Sequence, residues 1–357
     1  MKEKNKKNIY FFDSENKNNL PNKKSVKSRR IGHFFFSLLI IVSIPYFLVD
    51  VFKRAYLFFV PDSGPIVSVN DEKNAPLQGS NDDDTDSVKG NEVPVNPHTS
   101  GQYYFLGPQY KIPSTSGLAY TVADIETGEV IIEKNPDIAM PIASVSKLIT
   151  AIVAKENMEQ HKTITVTKSS IETYGTSGGL SVGEKILVSD LFYPLLMESS
   201  NDAAEVFAEG YGREEFIKKM NEKAKEIGMN NTFFFEPSGL SEKNVSTTAD
   251  LQKLAAYISH NYPDLWDITR VRQYSILKHS WGNGNRLSRR ANFVGGKNGF
   301  TYEAHNTTVS VFDVDVEGGK KRFAITLLKS NDREGDVDAL LRFLSKWVGY
   351  LAPGQEL

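Results

Sequence analysis

Between Ile31 and Val49 the chain reads IGHFFFSLLIIVSIPYFLV, 19 residues without Asp, Glu, Lys or Arg. A helix built from it is apolar on every face and long enough to cross the hydrocarbon core of a bilayer. Pro45 is tolerable there, with a kink. From Gly117 the pattern changes. GLAYTVADIETGEVIIEKN, ending at Asn135, alternates apolar and polar positions around Glu-Thr-Gly and predicts a β-hairpin. Asn306 to Ser330 repeats the alternation, with Gly318-Gly319 at the turn. Between the hairpins the apolar spacing becomes helical over Val145–Asn157, Val188–Glu209, Arg213–Ile227 and Thr248–Ile258. Asp190 and Asp250 stand near predicted helix starts, where the helix dipole favours a negative charge. DVDALLRFLSKWVGYL, residues 336–351, predicts a closing amphipathic helix. Hairpin, helical insertion, hairpin and helix together give an α/β fold, a sandwich of sheet and helices with some helices grouped in a subdomain.

Charge changes the picture at the amino-terminal end. Residues 1–30 carry ten Lys/Arg against three acids, net +7. A basic tail is compatible with nucleic acid. Here it directly adjoins the apolar run, which favours a membrane and argues against both nucleic acid and a buried soluble helix. A cleavable signal peptide has a shorter apolar region and a small-residue cleavage site. VDVFKRAYLFF, after the run, has no such site. The expectation is a basic cytoplasmic tail (1–30), an uncleaved signal anchor (31–49), and everything beyond it outside the cell membrane. Residues 61–100 hold eight acids and two lysines, net −6, among Pro, Gly, Ser and Asn. Too little apolar surface is present for a core, so 50–101 reads as an extended acidic linker. The folded domain is expected over 102–357, large enough for a sizeable core. With no cysteine, an exported domain relies on that core and not on disulfides or Cys-built zinc sites.

The chemistry begins with PIASVSKLITA, residues 141–151. Lys147 stands among Ile142, Val145, Leu148 and Ile149, which leaves two readings. Its stem packs and its ammonium snorkels to water, or it loses its proton and serves as a base for Ser144, one helical turn away. The helix dipole and burial both disfavour the ammonium there. Ser-x-x-K alone says little, since Ser14–Lys17 and Ser275–Lys278 also match it. Ser199-Ser200-Asn201 is a second short element, read otherwise as a cap or turn. FVGGKNGFT is the third, with Lys297 flanked by glycines that let another backbone approach.

The order Ser-x-x-Lys, Ser-x-Asn, Lys-x-Gly is the signature of active-site serine penicillin-recognising enzymes. IASVSKLITA, YGTSGGLSVGEKILVSDLFYPLLMESSNDAAE, FIKKMNEKAKEIGMNNTFFFEPSGLS, STTADLQKLAAYI, NGNRL and GGKNGFTYEA follow in family order, from about Gly117 to Ser330. In these stretches the chain resembles the D-alanyl-D-alanine carboxypeptidase family, the low-molecular-mass penicillin-binding proteins. The resemblance implies a β-lactamase/transpeptidase-like fold, an antiparallel sheet flanked by helices plus a helical subdomain. It implies a serine peptidase acting on peptidoglycan stem peptides through an acyl-enzyme, with β-lactams as covalent inhibitors and no cofactor or metal. Ser144 would be the nucleophile, Lys147 its base and Ser199 a proton relay. Asn201 would bind the substrate amide, and Lys297 would supply positive charge. The N–H groups of Ser144 and Phe300 would form the oxyanion hole, beside Asn298 and Gly299. The six histidines need no catalytic role, and His305 reads as structural.

One position departs from the pattern. Asn298 stands where the family has threonine, whose hydroxyl can donate to a terminal carboxylate. A carboxamide donates from a longer, planar group. Carboxypeptidase action is the leading expectation. Cross-link cleavage (D,D-endopeptidase), a β-lactamase and an inactive wall-binding module are the alternatives. No candidate is visible for the extra glutamate base of class A β-lactamases. The segment after Ser330 is short for a further β domain or carboxy-terminal anchor, a role the amino-terminal helix would take.

Overall fold

The computed structural model describes residues 101–107, 109–176 and 178–355. The predicted basic tail, signal anchor and linker up to residue 100 lie outside the described residues. Among the described residues, no helix is long and apolar enough to cross a membrane.

Five antiparallel strands form the main sheet. They are β1 (Ala119–Asp124), β2 (Val130–Lys134), β3 (Phe293–Thr301), β4 (His305–Val316) and β5 (Gly319–Ser330), in spatial order β3-β4-β5-β1-β2. Both predicted hairpins are present as β1–β2 and β4–β5. All six residues of β1 are buried, as expected for an inner strand covered on both faces. β3 is the strand that pattern reading did not assign. Its three glycines depress strand propensity, and pairing with β4 from Phe293↔Phe312 to Thr301↔His305 overrides it.

Among the described residues, seven α-helices follow in chain order: α1 (Lys147–Asn157), α2 (Val188–Tyr193), α3 (Asn201–Tyr211), α4 (Arg213–Glu226), α5 (Thr248–Asn261), α6 (Pro263–Arg270) and α7 (Arg333–Trp347). One face of the sheet packs Val122, Phe312, Phe323 and Ile325 against Val337, Leu340 and Leu344 of α7. The other packs Ala119, Val309, Val311 and Ala324 with α1 and α5. Leu148, Ile149 and Ile152 of α1 are fully buried, each contributing about 1.5–3 kcal/mol relative to exposure. That helix threads the middle of the domain, so whatever sits at its amino end is held rigidly.

Three expectations need correction. The helix expected over Val188–Glu209 is broken. α2 gives way to a π-helical turn at Pro194–Glu198, Ser199 takes a left-handed conformation at φ +66°, and α3 starts afresh at Asn201. Pro194 removes a backbone donor, and Ser200 caps the new helix by accepting from Ala203 N at 3.0 Å. The helix expected from Val145 starts as a 3₁₀ turn at Ala143–Ser146 before α1 begins. The closing helix starts earlier, at Arg333, capped by Asp332, and ends at Trp347. Val348–Leu351 is instead a strand paired with Gln102–Phe105, and Tyr350 packs on Tyr103 with ring centroids 5.0 Å apart.

Candidate active site

Ser144 sits on the 3₁₀ turn that leads into α1. Two glycines press on that turn from opposite sides. A Cβ on Gly239 would stand 2.0 Å from the Ala143 carbonyl oxygen, and one on Gly299 would stand 2.7 Å from the Ser144 nitrogen. Any side chain at either position would displace the serine, which explains why the loop before Leu240 and the edge strand β3 narrow to glycine here. Thr307 Oγ1 donates to the Ile142 carbonyl at 2.9 Å and ties the same turn to β4.

Lys147, first residue of α1, is fully buried. The snorkelling alternative is therefore closed. Its Nζ meets Ser238 O at 2.5 Å, Asn201 Oδ1 at 2.8 Å and Ser144 Oγ at 3.1 Å. Two of these are pure acceptors, because Asn201 is oriented by its own Nδ2 donating to Tyr174 O at 2.9 Å. A neutral amine has two N–H donors and one lone pair. In that neutral form the donors satisfy Ser238 and Asn201 and the lone pair faces the Ser144 hydroxyl, whereas the ammonium form donates to all three. Burial lowers Lys147 from the ordinary 10.5 to about 7, against the raising influence of Glu236 and Glu205.

Ser199 owes its place to the broken helix. Its left-handed backbone at φ +66° turns the chain between the π-helical segment and α3. Its Oγ is buried with no hydrogen-bond partner among the described residues. An orphaned hydroxyl of this kind is costly, and it marks a place where a ligand group completes the pairing.

β3 supplies the opposite wall as the edge strand of the sheet. Lys297 is 1% exposed and donates to the Asn298 carbonyl at 2.7 Å. Burial, then the charges of Lys147 and Arg333, holds it well below the ordinary lysine value. Ser144, Ser199, Asn201, Asn298, Gly299 and Phe300 line one cleft of about 410 Å³ together with Tyr174, Gly239, Tyr302, Glu303 and Arg333. Lys147 and Lys297 stand directly behind its wall. All eight residues singled out in the sequence thus meet in one region.

Two residues in or behind the cleft wall, Glu236 and Arg333, carry no motif in the sequence. Glu236 organises the turn bearing Ser238 and Gly239. Arg333, 9% exposed, donates to Gly299 O at 3.3 Å and leaves its Nε buried without a partner among the described residues. A cation at a helix amino terminus, against the dipole, was the available clue. The decoy at Ser275 and Lys278 does not form a pair. Ser275 Oγ lies 2.9 Å from Ser280, while Lys278 reaches Ser181 at 3.0 Å and Glu184 at 3.3 Å. The other match, Ser14–Lys17, lies outside the described residues. His305 opens β4 with its ring 3.2 Å from Asn331 and does not line the cleft.

A family model described as D-alanyl-D-alanine carboxypeptidase matches residues 109–317. The chain belongs to the D-alanyl-D-alanine carboxypeptidase family. Among relatives of this carboxypeptidase-family chain, a D-alanyl-D-alanine endopeptidase of Pseudomonas aeruginosa is 36% identical over 214 residues, covering 56% of this chain and 67% of that protein. A D-alanyl-D-alanine endopeptidase of Escherichia coli is 37% identical over 45% of this chain and 53% of its own length. The matches thus span about half to two thirds of those relatives. Among solved structures, Penicillin-Binding Protein D2 from Listeria monocytogenes, in its cefotaxime-bound form, superposes with a TM-score of 0.59 at 28% identity, covering 66% of this chain and 99% of that one. The fold is the penicillin-binding, β-lactamase-like fold, an antiparallel sheet flanked by helices.

Proposed function

We propose that the chain is a serine-type D,D-peptidase that cleaves peptide bonds at D-alanine in peptidoglycan stem peptides, and that β-lactams acylate it. The observation that carries this reading is the Lys147 amine, enclosed and facing Ser144 at 3.1 Å, across a cleft from the unpartnered Ser199 hydroxyl. Ser144 Oγ attacks the carbonyl carbon as its proton passes to Lys147 Nζ. Backbone N–H groups of Ser144 and Phe300 hold the developing oxyanion, each worth about 2.7–4 kcal/mol. The C–N bond breaks as Ser199 relays a proton to the leaving amine. Water then attacks the ester, returning the Ser144 hydroxyl and freeing the carboxylate. Asn201 orients the substrate amide and Arg333 adds fixed positive charge for an anionic substrate, whose arrival favours the charged form of Lys297.

Two observations favour cross-link scission ahead of removal of a terminal D-alanine. The relatives at 36% and 37% identity are named endopeptidases. Asn298, on the cleft wall, offers a carboxamide in place of the hydroxyl that would hold a free terminal carboxylate. Display outside the cell membrane by the Ile31–Val49 run belongs to the same proposal, supported by the net +7 before it and the net −6 of residues 61–100. Mass spectrometry of muropeptides after incubation with the protein tests the reaction. Loss of cross-linked dimers is the expected result, and intact dimers and pentapeptides would overturn the reading. Asn298→Thr is expected to shift the product ratio toward terminal trimming, and an unchanged ratio removes Asn298 from the argument. Fluorescent penicillin separates the remaining alternatives. Stable labelling of Ser144 fits a peptidase, fast turnover a β-lactamase, and no labelling an inactive module.

A further inference from the structure

Glu236 is 7% exposed, with no cation at ion-pair distance among the described residues. Its two oxygens take four donors. Oε2 accepts from Ser238 N at 2.7 Å and Ser238 Oγ at 2.6 Å, and Oε1 accepts from Gly239 N at 2.7 Å and Ser241 N at 3.2 Å. Both carboxyl oxygens are thus used as acceptors, each by two donors. The turn they wrap is the one that offers the Ser238 carbonyl to Lys147 at 2.5 Å and sets Gly239 against the Ser144 turn. It is clamped to α1 from behind, with Thr150 donating to Pro237 O at 2.6 Å and Asn244 donating to Ser146 Oγ at 3.0 Å.

The charges acting on Lys147 come from three elements. Glu205 on α3 is matched by Arg213, which donates to it at 2.8 and 3.1 Å. Lys297 on β3 lies near enough that the charge of Lys147 adds to burial in lowering it. Glu236 is the remaining carboxylate; Arg213 feels its charge too, but no cation stands at ion-pair distance from it among the described residues.

We propose that Glu236 is a positioning residue for acylation: it holds the Lys147 amine through the Ser238 turn, and its negative charge sets the pH above which that amine acts as a base. The proposal rests on the peptidase reading above and adds to it the group that tunes the base. Glu236 does not line the cleft. Its ionised form keeps Lys147 basic enough to take the Ser144 proton, while burial keeps it neutral enough to be available.

The test compares Glu236→Gln and Glu236→Asp with the parent protein by two measurements. Side-chain NMR follows the titration of Lys147, assigned with Lys147→Met, and penicillin labelling of Ser144 is timed across pH 5–9. In Glu236→Gln the Lys147 midpoint and the acid limb of labelling are expected to move lower by about one pH unit, the order of the effect of losing one nearby opposite charge. Its plateau rate falls as well, because the carboxamide accepts fewer of the four donors. Glu236→Asp keeps the charge and is expected to keep the midpoint, even where its shorter side chain lowers the plateau. An unmoved midpoint in Glu236→Gln, or an equal shift in Glu236→Asp, overturns the proposal and leaves Glu236 as a turn-former only. Failure of the peptidase reading looks different, with no labelling of the parent protein at any pH while the NMR midpoint still decides the role of Glu236.

Discussion

Of the buried lysines among the described residues, Lys147 and Lys223 are shifted in opposite directions. Lys147 in the cleft meets a carbonyl, a carboxamide and a hydroxyl, and burial takes it to about 7. Lys223 on α4 is also buried, yet Glu156 at 2.8 Å and Glu226 at 2.7 Å outweigh the burial and raise it above the ordinary 10.5. Burial alone therefore does not make a base. It does so where the partners are dipoles, and it makes a structural cation where they are carboxylates. The stability consequences are opposite too. Below about pH 7 the unfolded chain gains the full advantage of protonating Lys147, and this penalty on folding shrinks as pH rises from there toward 10.5. The contribution of Lys223 is complete below 10.5 and is lost only as pH passes its raised folded value.

The largest expected effect comes from removing the base. Lys147→Arg, which stays charged, should slow penicillin labelling of Ser144 by about 10²–10⁴-fold, read by intact mass. A parent-like rate would mean that another group takes the proton. The comparison is broken more directly by giving Lys147 an ionic partner. Asn201→Asp places a carboxylate where Oδ1 now stands at 2.8 Å. It should move the acid limb of labelling up by about 1–3 pH units. A limb that stays put would show that the local dipoles, not the missing counter-charge, govern the lysine. The parent limb itself should rise through about pH 7, since the neutral form that accepts a proton accumulates above that value.

On the other side, Lys223→Met should cost about 1–3 kcal/mol in urea unfolding, by leaving Glu156 and Glu226 without their cation. Labelling of Ser144 should be unchanged, and any loss would couple the two regions. The smallest expected effect is at the second Ser-x-x-Lys. Ser275→Ala should alter stability by less than about 0.5 kcal/mol and leave labelling intact.

That second match shows how far a short motif can be read. Ser275 and Lys278 share the spacing of Ser144 and Lys147, but they occupy a hairpin whose strands are Gln273–Ile276 and His279–Gly282. Three residues bring side chains together on one face of a helical turn and not across a β-turn. The helical context of Ser144 was visible in the run Leu148, Ile149, Ala151 and Ile152. The break at Ser199 was less visible, because the apolar spacing continues across it and only Pro194 hints at an interruption. The strand Phe293–Thr301 was hidden by its own glycines, which read as loop until a partner strand lies beside them.

Order and identity of residues along the chain were enough for both hairpins, for most of the helices and for the three short motifs, since each depends on neighbours within a few positions. The protonation state of Lys147 was not legible in this way. It follows from Ser238, Asn201 and Glu236, which are 91, 54 and 89 positions away and reach the amine only once α1 is enclosed between sheet and helices. The same holds for Arg333, brought to the cleft by the last helix. Desolvation and the direction of nearby dipoles are properties of the assembled interior, and no spacing within one segment encodes them.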